Sequence, residues 1–230
     1  MSPRPRSPSR KPSPSPSRNP LLTKNPPPGT SPTARTLPPR PVAIAITGGI
    51  GAGKTEALRA FARHGAAVAS SDEVVHRLLR DDDEVRRAIV ARFGTEVLDD
   101  SGGVDRAALG RVVFGDREQL DWLEALLHPR VVREYVAWRE ELGGRPFPPR
   151  AAAVEVPLLY ETGGEERFDK VVVVTAPPEV RALRTDVSDA REERLIPDDE
   201  KIRRADFVYV NDGPLADLDR FVAGVLEQIA

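Results

Sequence analysis

The chain has 230 residues, enough for one or two domains, yet its prolines and charges are too unevenly distributed for a single packed unit. Residues 41–230 hold 26 basic and 36 acidic residues, a net charge of −10, which argues against a general affinity for nucleic acid. No apolar run approaches a membrane span in length, and the absence of cysteine excludes disulfides, zinc–thiolate sites and thiol nucleophiles. We therefore expect a cytoplasmic protein, monomeric or weakly self-associating, that binds neither nucleic acid nor a membrane.

The first 40 residues differ in kind from the rest. They contain 13 of the 23 prolines and eight Lys or Arg, with no Asp or Glu. Such a segment buries too little apolar surface to offset the entropy lost on ordering, so residues 1–40 are predicted to be a disordered, basic Pro/Ser/Arg-rich tail. It is interpreted either as a solvated extension or upstream start, or as a transit or polyanion-binding segment.

From residue 42 onward, strand-like and helix-like segments alternate, which predicts an α/β fold with a parallel sheet of five strands flanked by helices. The strands are expected at 42–46, 66–69, 151–156, 170–175 and 207–210. Residues 81–142 are interpreted as a helical substrate-side insertion, with a break in the helix expected where Pro129 follows His128. The polar, arginine-bearing residues 184–197 are assigned to a short lid.

Residues 48–55, GGIGAGKT, follow the first strand and precede a helical pattern. This fits G-x-x-x-x-G-K-[ST], in which glycines turn successive backbone N–H groups toward a phosphate, the Lys reaches the β- and γ-phosphates and the hydroxyl holds Mg²⁺. The pattern predicts a site for a nucleoside triphosphate, with Lys54 as a catalytic cation and Thr55 as a Mg²⁺ ligand. The residues assigned to nucleotide binding are Gly49, Gly51, Ala52, Gly53, Lys54, Thr55 and Glu56.

Two acids lie where predicted strands end. Asp72 follows the second strand, where a carboxylate is suited to accept the proton of an attacking hydroxyl, but Ser71 or Asp72 is equally suited to cap the next helix. Glu155 ends a strand expected to run parallel to the strand before the glycine loop. Because a charge within an apolar strand needs a partner, we interpret Glu155 as a metal-site residue whose carboxylate holds a water on Mg²⁺.

Other candidates are open to a structural interpretation. His128 either points into a cleft or caps a carbonyl at the expected helix break. Four arginines in or near the predicted lid are suited to neutralise a transferring phosphoryl group, although ion pairs with Glu192 and Glu193 explain some of them equally well. Of these, Arg184 and Arg191 are the preferred catalytic candidates.

Four motifs in this order and at this spacing resemble the dephospho-CoA kinase family. They are TGGIGAGKT at 47–55, Leu-His-Pro at 127–129, VPLLYE at 156–161, and Ala205-Asp206 followed by Asn211-Asp212-Gly213. The resemblance covers residues 41–229, and the combination is far more specific than the glycine loop, which many kinases share. It implies a P-loop kinase core with a helical substrate domain and a lid.

The resemblance also implies an activity: transfer of the ATP γ-phosphate, with Mg²⁺, to the ribose 3′-hydroxyl of dephospho-CoA, the last step of coenzyme A synthesis. By motif, Asp72 matches the acid thought to activate the acceptor hydroxyl, and His128 matches a substrate-domain His. The VPLLYE motif adds Leu158 and Tyr160 on the substrate side, while Arg184 and Arg191 match lid arginines.

The chain departs from the family at several positions. Ser70-Ser71-Asp72 stands where Asp-Ala-Asp is usual, and Glu56 stands where a small hydroxyl residue is common. The lid between Arg184 and Arg191 is several residues short, and Leu195 replaces a frequent Gln. Two alternatives therefore stay open: a kinase for another small alcohol or nucleoside, and a nucleotide-binding regulator without catalysis.

Overall fold

The structure, a computed structural model, describes residues 40–185 and 195–229. The predicted tail lies outside the described residues apart from Arg40, and so does most of the predicted lid, including Arg191. Within the described residues, five strands form one sheet in the order β2-β3-β1-β4-β5, and all four neighbouring pairs are parallel. The strands are β1 Val42–Thr47, β2 Ala67–Ser70, β3 Ala151–Glu155, β4 Lys170–Thr175 and β5 Phe207–Val210.

The predicted five-stranded parallel sheet is confirmed, and each strand boundary falls within one residue of expectation. The described helices are α1 Lys54–Arg63, α2 Ser71–Asp81, α3 Asp83–Phe93, α4 Arg106–Val113, α5 Arg117–Gly143, α6 Pro178–Ala182, α7 Asp198–Arg204 and α8 Leu215–Gln228. Short 3₁₀ turns span Thr95–Val97 and Glu165–Arg167. None of these described helices is long and apolar enough to cross a membrane.

Both faces of the sheet are covered, which explains why its central strands are apolar throughout. Because side chains alternate along a strand, Ile44 and Ile46 of β1 pack on one face with α1 and α8, where Phe61 is fully buried. On the opposite face, Ala45 packs with the segment after β3 and Ala43 packs with α5. The sheet therefore lies between two layers: α1 and α8 on one face, and α5 with the segment after β3 on the other.

Helices α2 to α5 enclose a second apolar cluster of their own. Buried residues of this cluster include Leu78 of α2, Ile89 of α3, Leu109 of α4 and Leu123 of α5. Asp82 caps α3 by accepting hydrogen bonds from the backbone N–H groups of Glu84 at 2.8 Å and Val85 at 3.0 Å. The residues predicted as a helical insertion, 81–142, therefore share a core with α2, which precedes them.

The expected helix break at Pro129 is wrong. Helix α5 continues through the proline for 27 residues, although Pro129 has no N–H to donate to the carbonyl one turn earlier. Packing on both sides accounts for the continuity, because Leu123 and Leu127 lie in the α2–α5 cluster whereas Tyr135 packs on the sheet. Here tertiary burial overrides the local preference to end the helix.

The predicted cap of α2 at Ser71 or Asp72 is wrong. Ser70 is the capping residue, with extended backbone and no side-chain cap hydrogen bond, and the helix begins at Ser71. Asp72 therefore lies within the first turn rather than at the cap, and its side chain is exposed. The carboxylate is thus available for other interactions at the edge of the sheet.

Candidate active site

The site lies at the edge of the sheet where the parallel strands end, the edge at which open α/β sheets bind ligands. The glycine loop runs from Gly48 to Gly53, between the end of β1 and the start of α1. Gly48 has a φ of +144°, and a Cβ there would collide with the carbonyl of Val174 in β4. Gly53 has a φ of +100°, and a Cβ there would collide with the amide of Asn211. Only glycine fits these two positions, so the strand–loop–helix arrangement predicted for this motif is present.

Lys54 is the first residue of α1, and its ammonium lies against the loop. Its Nζ donates a hydrogen bond to the carbonyl of Gly49 at 3.0 Å. Burial lowers the pKa of Lys54, and the carboxylate of Glu155 is the largest influence in the opposite direction. The loop thus combines a cation with the backbone N–H groups at the start of a helix, a combination suited to phosphate.

Thr55 and Glu155 face each other across the strand edge. Glu155 ends β3 and lies level with Ile46 of β1, and it accepts bonds from Thr55 Oγ1 at 3.3 Å to Oε1 and 3.2 Å to Oε2. Burial raises the pKa of Glu155, whereas Lys54 and the hydrogen bond from Thr55 lower it. The pair offers adjacent hydroxyl and carboxylate oxygens, the donor type that Mg²⁺ prefers.

These residues suit a Mg²⁺ ion that is bound jointly by the protein and a nucleotide, rather than one surrounded by protein ligands alone. Across residues 40–185 and 195–229, no group of three or more His, Cys, Asp or Glu side chains is arranged to hold a metal. Mg²⁺ commonly binds through one or two protein groups and the phosphates of a bound nucleotide, and Thr55 with Glu155 matches that pattern.

Asp72 lies beside this centre. It follows Ser70, which pairs with Glu155 in the sheet. Its negative charge raises the pKa of Lys54 and also raises the pKa of Glu155, so its field reaches both groups. The structure therefore brings together four sequence-predicted residues: Lys54, Thr55, Asp72 and Glu155.

The other predicted acceptor residues are placed less closely. His128 is half-buried on α5, and no hydrogen bond or ion pair joins it to the glycine loop among the described residues. Leu158 is half-buried just after β3, and its carbonyl accepts a hydrogen bond from Thr162 Oγ1 at 2.8 Å. Tyr160 is buried in the core on that face, with the Arg204 guanidinium 4.2 Å from its ring centroid. The structure thus shows Tyr160 as a packing residue of the core on that face.

The side chains of Arg184 and Glu56, two of the residues singled out in the sequence, lie beside the loop. Arg184 donates to the carbonyl of Gly51 and to the carbonyl of Asn211, each at 3.3 Å, so it lies on the loop. Glu56 forms an ion pair with Arg59, one turn further along α1. Its carboxylate is thereby held on the helix surface, which leaves its backbone N–H for a phosphate.

Sequence reasoning missed several contacts that fix the site. Asn211 is buried and donates from Nδ2 to the carbonyl of Ala52 at 2.9 Å, which ties the end of β5 to the loop. Lys201 is fully buried, with its Nζ in an ion pair 2.8 Å from Glu161 Oε1. Their positions in the sequence could have indicated both residues as candidates, because Asn211 directly follows a predicted strand and Glu161 is the last residue of the VPLLYE motif.

Similarity to known proteins agrees with this geometry. A family model described as dephospho-CoA kinase matches residues 42–217. The dephospho-CoA kinase of Mesorhizobium japonicum is 41% identical over 177 residues, which cover 73% of this chain and 86% of that protein. The dephospho-CoA kinase of Brucella melitensis is 38% identical over 193 residues, covering 80% and 94%.

Solved structures give the same result. The dephospho-CoA kinase from Campylobacter jejuni superposes with a TM-score of 0.60 at 25% identity, covering 84% of this chain and 99% of that one. The protein TT1252 from Thermus thermophilus superposes with a TM-score of 0.69 at 36% identity, covering 84% and 100%. The resemblance inferred from the motifs is confirmed, and the chain belongs to the dephospho-CoA kinase family.

Proposed function

We propose that the chain transfers the γ-phosphoryl group of ATP to the ribose 3′-hydroxyl of dephospho-CoA, forming coenzyme A and ADP. The observation that carries the proposal is the convergence of Lys54, Thr55 and Glu155 at the sheet edge, within the field of Asp72, in a member of this family. Residues 81–142, which hold α3, α4 and most of α5, serve as the substrate-side domain, and residues 184–197 are assigned as the lid, of which 186–194 lie outside the described residues.

The donor half of the site binds and orients the triphosphate. The N–H groups of the glycine loop and the Lys54 ammonium hold the β- and γ-phosphates, which favours in-line transfer because the charge of the transition state falls on oxygens already paired with donors. Thr55 Oγ1 and Glu155 would hold Mg²⁺, and a bound Mg²⁺ would supply neutralisation of charge on the phosphates. Arg184 and Arg191 supply further positive charge at the transferring group.

The acceptor half orients the ribose. Asp72 accepts a hydrogen bond from the 3′-hydroxyl and takes its proton as the oxygen attacks phosphorus. The position of Asp72 in the first turn of α2, exposed at the strand edge, supports this role. His128 contacts dephospho-CoA from α5, and the segment of Leu158 and Tyr160 forms the wall on the other side.

One assay tests the proposal and separates it from the two alternatives. The full chain, incubated with Mg-ATP and dephospho-CoA, is expected to release ADP and coenzyme A in equal amounts. Asp72→Asn should lower kcat by about 10²–10⁴-fold, the usual contribution of a general base. Glu73→Gln, an adjacent exposed acid on the same helix, is the matched control and should turn over normally.

Other results would identify a different function. Faster turnover of another alcohol or nucleoside would indicate a kinase with a different acceptor. Binding of ATP without transfer to any acceptor would indicate a nucleotide-binding regulator.

A further inference from the structure

Asp198 is an acid beside the glycine loop that the proposed reaction does not use. It is the first residue of α7, and its Oδ2 accepts a hydrogen bond from Thr175 Oγ1 at 2.8 Å, at the end of β4. The same oxygen lies 3.8 Å from NH1 of Arg181 on α6, and the two side chains are only 26% and 21% exposed. Thr175 thus fixes a carboxylate that pairs with an arginine.

This ion pair lies directly over the loop. A Cβ built on Gly49 would be 2.5 Å from Arg181 NH1 and 3.2 Å from Asp198 Oδ1. The carbonyl of Gly49 is also the acceptor for Lys54 Nζ. Since a Lys at this position reaches the β- and γ-phosphates, Arg181 and Asp198 lie at the end of the loop that faces those phosphates.

A carboxylate at this place needs an explanation. Its negative charge opposes the binding of a polyanion, and its field already reaches Lys54. An acid that served only as a surface group of α7 would not need to point at the loop. Its neighbour Asp199 shows that alternative, because it pairs with Arg203 on the same helix at 2.8 Å.

We propose that Asp198 is a positioning residue that holds the Arg181 guanidinium over Gly49, so that Arg181 meets the terminal phosphates of ATP. The inference rests on the proposed function for the identity of the nucleotide. The guanidinium is planar, and the carboxylate of Asp198, which Thr175 anchors, attracts it from a fixed position. The loss of ordering entropy on binding ATP is correspondingly smaller.

The test uses the sign of the change in ATP affinity. Asp198→Asn keeps the shape of the side chain and an acceptor for Thr175 but removes the charge that holds Arg181. The proposal predicts that the Kd of the full chain for Mg-ATP, measured by calorimetry, rises about 10–150-fold, the range for losing one charge-assisted hydrogen bond. The affinity for AMP, which lacks the β- and γ-phosphates, should stay unchanged in a competition experiment.

A simple electrostatic effect gives the opposite result, because removing a negative charge near a polyanion tightens binding. Unchanged or tighter binding of Mg-ATP by Asp198→Asn would therefore overturn the proposal. Asp199→Asn is the matched control on the same helix and should bind like the wild type. Thermal unfolding of each variant reports whether the fold is kept.

Arg181 supplies the second variant. Arg181→Ala should weaken Mg-ATP binding, and adding Asp198→Asn to it should change little more, because the two residues act as one unit. Fully additive effects would contradict the positioning role. If Asp198→Asn does not fold, Arg181→Lys carries the test, with the same loss for ATP and none for AMP.

These outcomes are distinguishable from failure of the proposed function. Turnover of an acceptor other than dephospho-CoA, together with the expected ATP effects, would overturn only the acceptor assignment. A wild-type chain that does not bind Mg-ATP would overturn both.

Discussion

The glycine loop and the helical side of the site are built by different means. The backbone of the loop is held by contacts from several elements: the Val174 carbonyl lies behind Gly48, and the side chains of Asn211 and Arg184 donate to the carbonyls of Ala52 and Gly51. On the helical side, Asp72 and His128 extend from helices whose burial lies mainly in a separate cluster. The donor half is thus preorganised by the sheet, whereas the acceptor half depends on individual side chains.

This difference predicts distinct effects of mutation. A change in the loop should disturb backbone geometry and therefore ATP affinity, whereas a change on the helices should alter the KM for the acceptor and leave ATP binding intact. The predictions for Gly53 and His128 test that separation, and those for Pro129 and Glu155 test the stability of each half; the largest effect comes first.

Gly53→Ala should raise the Kd for Mg-ATP roughly 10–100-fold, since strain at such a backbone position costs about 1–3 kcal/mol. Alanine at this position would have to adopt a φ of +100°, and its Cβ would displace the Asn211 amide. Gly65→Ala is the control, because Gly65 has a φ of +85° with nothing within 4 Å of its Cβ position. It should lower the melting temperature without changing the Kd. Equal ATP affinities in the two variants would contradict a preorganised loop.

Pro129→Ala should stabilise the protein by about 2 kcal/mol, because the gain in helix propensity of about 3 kcal/mol exceeds the added entropy of the unfolded chain, about 1 kcal/mol. The restored N–H lies inside a continuous α5. Chemical denaturation measures the change. Destabilisation would indicate that the packing of α5 requires the proline ring.

His128→Asn should raise the KM for dephospho-CoA about tenfold through loss of one hydrogen bond, while the Kd for Mg-ATP stays the same. His76→Asn provides a control on α2, where the exposed His76 lies 3.4 Å from an Arg106 nitrogen. A parallel loss of ATP affinity in the His128 variant would show that the two halves are not separate.

Glu155→Gln should give the smallest effect on stability, but one with a defined sign. Burial raises the folded-state pKa of Glu155 above its ordinary value of 4.5, so its ionised form lowers stability as the pH rises above 4.5. The variant should therefore melt at a higher temperature than the wild type at pH 8, and the gap should narrow toward pH 4.5. Its Mg²⁺-dependent turnover should fall. A lower melting temperature than the wild type at pH 8 would reject this explanation.

Much of the fold was predictable from local pattern. Strand positions, the glycine loop and the acid ending β3 follow from apolar runs, glycine spacing and polarity, which are properties of short segments. The expected break at Pro129 and the cap at Ser71 or Asp72 were wrong, because burial on both sides of the proline and the extended backbone of Ser70 are set by tertiary structure.

Long-range contacts within the site could not be predicted from the sequence. The bond from Asn211 to Ala52 spans 159 residues, and no local pattern connects them. The same holds for Asp198 and Gly49. The roles of His128, Leu158 and Tyr160 stay predictions, as do the cytoplasmic location, the monomeric or weakly associated state and the lack of nucleic-acid or membrane partners. Residues 1–39 and residues 186–194, which include Arg191, lie outside the described part of the chain.

The most direct test of the account is the position of the transferred phosphoryl group. After incubation of the full chain with Mg-ATP and dephospho-CoA, phosphorus NMR and mass spectrometry of the product should locate one new phosphate on the ribose 3′-oxygen, with one ADP formed for each product molecule. The account would be contradicted if no phosphate were transferred, or if the phosphate were found on another oxygen.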